Sequence, residues 1–282
     1  MAHPLFQGRT IVIATQHKKE SVIAPILETE LGLKCILPED FDTDHLGTFS
    51  GEVERVNSPL ETVREKCLNA MKQANCDLGI ASEGSFGAHP VYGFVASDDE
   101  LVILIDQKND LEIVARNLTT ETNFSSALLH SETELFEFAE NVNFPSHAII
   151  LRNAQNGVEK IIKGIQHLQN LKTAFFEIYT EFNQVFAETD MRALYNPTRM
   201  NAIKIATQNL IKKIDVECPS CKTPGFDVSD VNKGLPCSDC GFPTRSTLSV
   251  DYLCKKCGFQ KNELYPNKKE KEDPTYCDIC NP

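Results

Sequence analysis

Four Cys-x-x-Cys pairs lie after residue 217 of this 282-residue chain: Cys218–Cys221, Cys237–Cys240, Cys254–Cys257 and Cys277–Cys280. Two intervening residues let both thiolates of a pair reach one ion, and two such pairs close a tetrahedral shell of four sulfurs. Fifteen residues separate the first pair from the second and nineteen the third from the fourth, both within the spacing of a zinc site. The expectation is two structural zinc ions held by these eight cysteines. Loop length favours sequential pairing, first with second and third with fourth; an interleaved arrangement is the alternative. Gly241 and Gly258 follow the second cysteine of their pairs, where a positive φ can aim an amide at a thiolate. The apolar residues Phe226, Leu235, Phe242, Leu253 and Phe259 are too few for a self-standing core. Metal binding, on the order of 10 kcal/mol per structural site, would supply the missing folding energy. A disulfide framework calls for an oxidising compartment, and four pairs in one tail exceed what redox chemistry needs. Closed shells leave no open position for catalysis.

The remaining cysteines, Cys35, Cys67 and Cys76, sit in helix-like or strand-like surroundings and read as small buried apolar residues. Residues 9–152 alternate between strand and helix patterns. Strands are expected at 9–15, 34–38, 78–82, 91–96, 101–105, 147–152 and 159–164. A helix over 21–33 would be capped by Ser21 and end near Gly32; one from Pro59 has Ser58 and Glu61 as a capping box. Ser131 and Glu134 open another, residues 165–185 read as helical, and Asn196-Pro197 starts a last helix to about 213. The alternation implies a layered α/β domain with a mixed, mostly buried sheet over 1–214, followed by a small zinc-ribbon domain over 215–282.

A net charge of −12 without a long basic run disfavours nucleic acid as a partner. The longest apolar run, "LVILI" at 101–105, is too short to span a membrane. The opening "MAHPLFQGRT" lacks the plan of a secretory signal, so a cytoplasmic protein is expected.

Three polar loops are expected after strands of the α/β part, where open sheets place their ligands. They carry Lys18, Lys19 and His17; Asp42, Asp44, His45, Glu52 and Arg55; and Glu83, Ser85 and His89. Carboxylates such as Asp42, Asp44 and Glu83 suit Mg2+ or Mn2+, and Lys18, Lys19 and Arg55 suit phosphate oxygens. His89 has the titration range of an acid or base. The segment "FAETDMRALYNPTRM" adds Asp190, Arg192 and Arg199, which either brace the tail by ion pairs or complete the crevice from a second direction.

The motifs "GTFSGEVER", "ASEGSFGAHP", "ETDMRALYNPTRM", "CPSCKTPGF" and "GLPCSDCGFPT" resemble, in this order and over nearly the whole chain, a bacterial family known only as a domain of unknown function. The first half is also similar to nucleoside triphosphate pyrophosphatases, in "ATQHKKE", in the capped helix with Lys66 and in "GIASEG". That likeness implies a Mg2+-dependent enzyme in which Lys18 or Lys19 grips phosphate, Glu83 helps bind metal and Lys66 faces the cleft. The chain lacks the Asn-x-x-Lys and Asp-Asp-Ser-Gly stretches of those enzymes. The expectation is thus a metal-dependent phosphohydrolase acting on a nucleotide or similar phosphorylated small molecule. The alternative is a non-enzymatic module whose zinc ribbons recruit a protein partner.

Overall fold

The structure, a computed structural model, describes residues 3–39, 41, 57–155, 157 and 159–282. The chain divides into two compact units, Met1–Leu210 and Ile211–Pro282. Its layers are those the alternation implies: a mixed α/β body and a small cysteine-rich domain.

The first sheet of the larger unit has five strands: β1 (Thr10–Ala14), β2 (Lys34–Ile36), β3 (Leu78–Ala88), β4 (Ala96–Asp106) and β5 (Leu111–Thr119), in the order β2-β1-β3-β4-β5. β1 runs parallel to both β2 and β3, whereas β3, β4 and β5 form an antiparallel meander. Helix α1 (Glu20–Leu31) follows β1, and α2 (Pro59–Gln73) precedes β3. α2 lays Val63, Cys67, Ala70 and Met71 on Val12, Ala14, Ala81, Ile103 and Ile105 of the sheet. The expected capping box forms: Ser58 Oγ accepts from the Glu61 amide, and the Glu61 carboxylate accepts from the Ser58 amide. At α1 the start differs. Lys18 turns the chain with φ 56°, Lys19 is the cap position, and Ser21 lies in the first turn with its hydroxyl donating to the Lys18 carbonyl. Gly32 ends the helix with φ 66°, as its position in the sequence suggests.

The stretch "LGIASEGSFGA" is one long strand rather than a strand followed by a loop. It pairs with β4 from Leu78↔Asp106 to Ala88↔Ala96, so residues 91–95 lie in the hairpin tip and Ala96 starts β4, rather than 91–96 forming a strand of its own. The apolar run of β4 pairs with residues 79–83, and the ladder continues through 84–88 against the polar start of β4, uninterrupted by Gly84 and Gly87. Val91, Tyr92 and Phe94 are exposed at that tip.

A second sheet in the same unit has β6 (Ser126–Leu129), β7 (Ile149–Arg152), β8 (Ile161–Ile165) and β9 (Val185–Thr189) in the order β6-β9-β7-β8. Helices α3 (Glu132–Asn141) and α4 (Leu168–Phe182) bury Leu135, Leu171, Phe175 and Ile178 on Ile149, Leu151, Val185 and Ala187. The span read as helical through 185 ends earlier, at Asn183 with φ 57°, and the apolar residues after it form β9. Helix α5 (Pro197–Ile214) follows a short 3-10 turn, Ala193–Tyr195. No helix among the described residues is long and apolar enough to cross a membrane.

The smaller unit is a three-stranded antiparallel sheet, β10 (Asp227–Lys233), β11 (Thr247–Leu253) and β12 (Gln260–Leu264), in chain order.

Gly79 is where the first sheet meets α2 most closely: a Cβ there would strike the Met71 side chain and lie 2.9 Å from Cys67 Sγ. Gly79→Ala is expected to lower stability by about 1–3 kcal/mol in urea unfolding. Gly87→Ala, with open space around its Cβ, serves as the near-neutral control.

Candidate functional site

In the small unit the eight cysteines form two clusters, Cys218, Cys221, Cys254 and Cys257, and Cys237, Cys240, Cys277 and Cys280, with sulfurs of each cluster within 4.8 Å of one another. The pairing is therefore interleaved, first knuckle with third and second with fourth, not sequential as loop length favours. The sheet explains why. β10 separates the first knuckle from the second by a strand of seven residues, about 23 Å of extended chain. β11 then returns to where β10 began, so the third knuckle arrives beside the first: Asp227 pairs with Leu253, which precedes Cys254. Strand geometry outweighs loop closure, whose cost grows only slowly with length.

The geometry of both clusters fits one ion each. A tetrahedron with metal–sulfur bonds of about 2.3 Å has edges of about 3.8 Å. The observed separations are 3.7 Å (Cys218–Cys257), 3.6 Å (Cys221–Cys254), 3.8 Å (Cys237–Cys280) and 3.6 Å (Cys240–Cys277). Three knuckles share one turn. The residue after the second cysteine takes a positive φ (Lys222 61°, Gly241 72°, Gly258 72°) and its amide donates to the carbonyl of the first cysteine. Thr223 places its hydroxyl 3.2 Å from Cys221 Sγ and draws that thiol down to about 6. Amides of Cys280 and Ile279 bring Cys277 to about 7. Cys257 and Cys280 of the same clusters are pushed up to about 12, so the lowering is not common to all the thiols of a cluster.

A second constellation lies in the larger unit. In the register of the β3–β4 hairpin, Ser82, Gly84 and Phe86 share a face with Asp98 and Glu100, and Glu83 points to the opposite, α2-facing side. On the first face, Arg199 of α5 donates from Nε to Glu100 Oε1 at 2.6 Å and from Nη1 to the Met191 carbonyl at 2.5 Å. Its guanidinium lies over the Phe86 ring, 4.9 Å from the centroid. Asn196 Oδ1 accepts from the Arg199 amide and so caps α5 as the sequence suggests. β1 ends opposite Ala81, and one residue further along β3 Lys19 donates to the Ser82 carbonyl (3.2 Å) and hydroxyl (3.0 Å). Lys19, Glu83, Asp98, Glu100 and Arg199 are all buried. Burial first, then Arg199, brings the Lys19 ammonium down to about 8. Burial first, then Lys19, holds the His17 imidazole at about 4, with Arg192, Arg199 and Asp190 also in its field. The 190–199 segment thus places Asp190, Arg192 and Arg199 in the field of His17, with Arg199 paired to Glu100.

The other expected site residues separate. Glu83 Oε2 accepts from Lys66 Nζ at 2.6 Å, both side chains nearly dry. His89 lies about 20 Å along the strand from Glu83. Its Nδ1 accepts from the Val91 and Tyr92 amides and its ring stacks on Tyr92, so it orders the hairpin tip instead of meeting the acid. Lys18 is exposed at the turn before α1. Asp42, Asp44 and Arg55 lie outside the described residues. Among the described residues, the groups of three or more metal-ligating side chains are the two cysteine clusters. The Mg2+- or Mn2+-holding role expected of Glu83 is therefore unsupported.

A family model described as "Domain of unknown function (DUF6671)" matches residues 66–282. The chain belongs to this family. The match takes in all eight knuckle cysteines, Glu83, Asp98, Glu100 and Arg199, whereas Lys18 and Lys19 precede it. Comparison with curated proteins finds no match.

Asp98 and Glu100 are the family-region residues that loop-based reading passed over. Their signal was present: the two acids fall in phase with Val102 and Leu104, so alternation puts them on a buried face.

Two outcomes follow from this geometry. Replacing the first and second knuckles with serines together should release both bound metal ions, and replacing the first and third only one, by metal analysis of the purified variants; sequential pairing would reverse these counts. For His17, the folded imidazole stays neutral down to about 4 while the unfolded one takes a proton below its ordinary value of about 6.5. Stability is thus expected to fall on acidification through that window, and His17→Gln to flatten that part of the pH–melting curve.

Proposed function

We propose that the two cysteine shells hold structural zinc and that the larger unit is a phosphohydrolase whose crevice takes a phosphorylated small molecule. The observation that carries the second part is the meeting of two buried cations, Lys19 and Arg199, over one strand face that also bears the buried polar groups Ser82, Asp98 and Glu100. In a water-poor setting such fixed charges stabilise the oxygens of a transferring phosphoryl group more strongly than solvent does. The substrate class is taken from the resemblance read in "ATQHKKE" and "GIASEG", which no compared protein bears out. Closed four-sulfur shells support zinc in a scaffolding role rather than at the chemistry. The Glu83–Lys66 pair serves on the α2 side to fix that helix against β3, and the reading assigns it no contact with substrate.

A panel of nucleoside triphosphates and phosphomonoesters, assayed with and without Mg2+ or Mn2+, tests the reading. Lys19→Met keeps the shape of the side chain and removes its charge. Its turnover is expected to fall by about a hundredfold or more with zinc content and melting behaviour retained. Turnover equal to the wild type in this variant, or none from the wild type across the panel, would overturn the reading. Fewer than two zinc ions per chain would remove the scaffolding part.

One observation favours a second reading, a protein-recruiting tail. Phe242, Tyr276 and Ile279 are exposed beside the cluster of Cys237, Cys240, Cys277 and Cys280. A partner captured by the full chain and lost on Phe242→Ser with Ile279→Ser, zinc being retained, would support it.

A further inference from the structure

Asp98 is the group in the crevice that the proposed function leaves without a task. It is fully buried, and neither of its carboxylate oxygens has a hydrogen-bond partner among the described residues; Glu100 Oε2 is likewise unpartnered. A carboxylate in that position, if ionised, would be a bare charge away from water, which proteins avoid by pairing the group or by keeping its proton. The cations nearby are committed elsewhere. Lys19 spends two of its three hydrogens on Ser82, and Arg199 spends Nε on Glu100 and Nη1 on Met191. The charged groups facing Asp98 are Glu100 and Asp99 of its own strand, Arg199 from α5 and Lys19 from the start of α1. Its cross-strand neighbours, Phe86 and Thr119, bear no charge. Asp99 is held on the opposite face by Arg116 at 2.6 Å.

We infer that Asp98 stands in the crevice as a neutral carboxylic acid and donates its O–H to the oxyanion that Lys19 and Arg199 attract. The proton stays on Asp98 when the anion binds, and no bond forms or breaks. With Asp98 neutral, Lys19 and Arg199 face Glu100, and the Glu83–Lys66 pair that also acts on them is itself balanced, so one positive charge remains. An ionised Asp98 would cancel that charge and repel the ligand. Burial first, then the Glu100 carboxylate, push the Asp98 carboxyl up to about 8, so it is protonated at neutral pH. His17 and Arg192, which share the field of Arg199, are half-exposed.

The inference rests on the reading that the crevice accepts a phosphoryl group, and the test separates the two. Sulfate, a dianion of constant charge over about pH 6 to 10, is titrated calorimetrically into the full-length protein and into Asp98→Asn, whose amide keeps a donor but cannot titrate. Near neutral pH the two are expected to bind within about threefold of each other. Above about pH 8 the wild type should lose affinity more steeply, by up to about tenfold more per pH unit, because Lys19 is the remaining group that titrates in the variant. Sulfate binding with the same pH slope in both proteins would overturn the role of Asp98 and leave the phosphate reading standing. Loss of binding in Asp98→Asn, with zinc content and melting retained, would also overturn it, since the ionised form would then be the active one. No sulfate binding by the wild type at any pH would take down the phosphate reading itself. Should Asp98→Asn fail to fold, infrared spectra of the wild type decide: a protonated-carboxyl band at neutral pH that bleaches above about 8 supports the assignment, and its absence refutes it.

Discussion

The larger unit depends on one buried ion pair, Arg199 with Glu100. Arg199 grows from the first turn of α5, reaches Glu100 in the middle of the first sheet and donates to the Met191 carbonyl just beyond the second. A single guanidinium therefore fixes three elements at once, which its planar fork of donors allows and a lysine would not. The pair also sets the local sequence. A Cβ at residue 84 would collide with the Glu100 carboxylate and lie 2.5 Å from Arg199 Nη2, so glycine is the residue that fits opposite Glu100. Breaking such a dry pair from one side costs on the order of 3–5 kcal/mol, because the abandoned charge stays buried.

The small unit rests on a different constraint, the return path of an antiparallel sheet. Its core is slight: Phe226 stacks on Tyr252 at 5.5 Å and packs near Cys218 and Cys254. Such a core cannot define three strands by itself. Each interleaved shell ties together segments that the sheet brings to one end, so metal and strand pairing reinforce one another. A sequential arrangement would have closed two local loops and left the register of β11 against its neighbours undetermined. The first knuckle shows how strongly the turn is demanded, since Lys222 adopts the left-handed conformation that glycine takes in the second and third.

Elements with a strong local signal were legible in the sequence. The capping box at Ser58, the Gly32 stop, the Asn196-Pro197 start and the eight metal-type cysteines all rest on residues within a turn of each other. Elements decided by a distant partner were not. β9 hides behind the helical run of α4 because its apolar residues suit either state until β7 and β6 pair with it. The residues 83–89 read as a loop because glycines punctuate them, yet β4 extends them into a strand. The crevice followed the same division. Lys19 and Arg199 were visible as polar residues beside helix starts; alternation with Val102 and Leu104 puts Asp98 and Glu100 on a buried face, but which residues they meet there depends on the β3–β4 register.

That register also explains why an acid and an imidazole six residues apart do not cooperate, while an acid and a guanidinium 99 residues apart do. Along a strand, successive side chains alternate sides and distance grows by about 3.3 Å per residue, so proximity in sequence soon becomes separation in space. Glu83 and Glu100, by contrast, sit on adjacent strands yet face opposite ways, and each meets its own cation, Lys66 below and Arg199 above. The sheet thus gives each acid its own ion-pair partner, although Glu83 still adds to the field at Lys19 and Arg199. The α2-side pair is closed and fixes a helix. The α5-side group leaves Asp98 without a hydrogen-bond partner among the described residues, and an unmet hydrogen-bonding need in a buried place is where a ligand gains most from arriving.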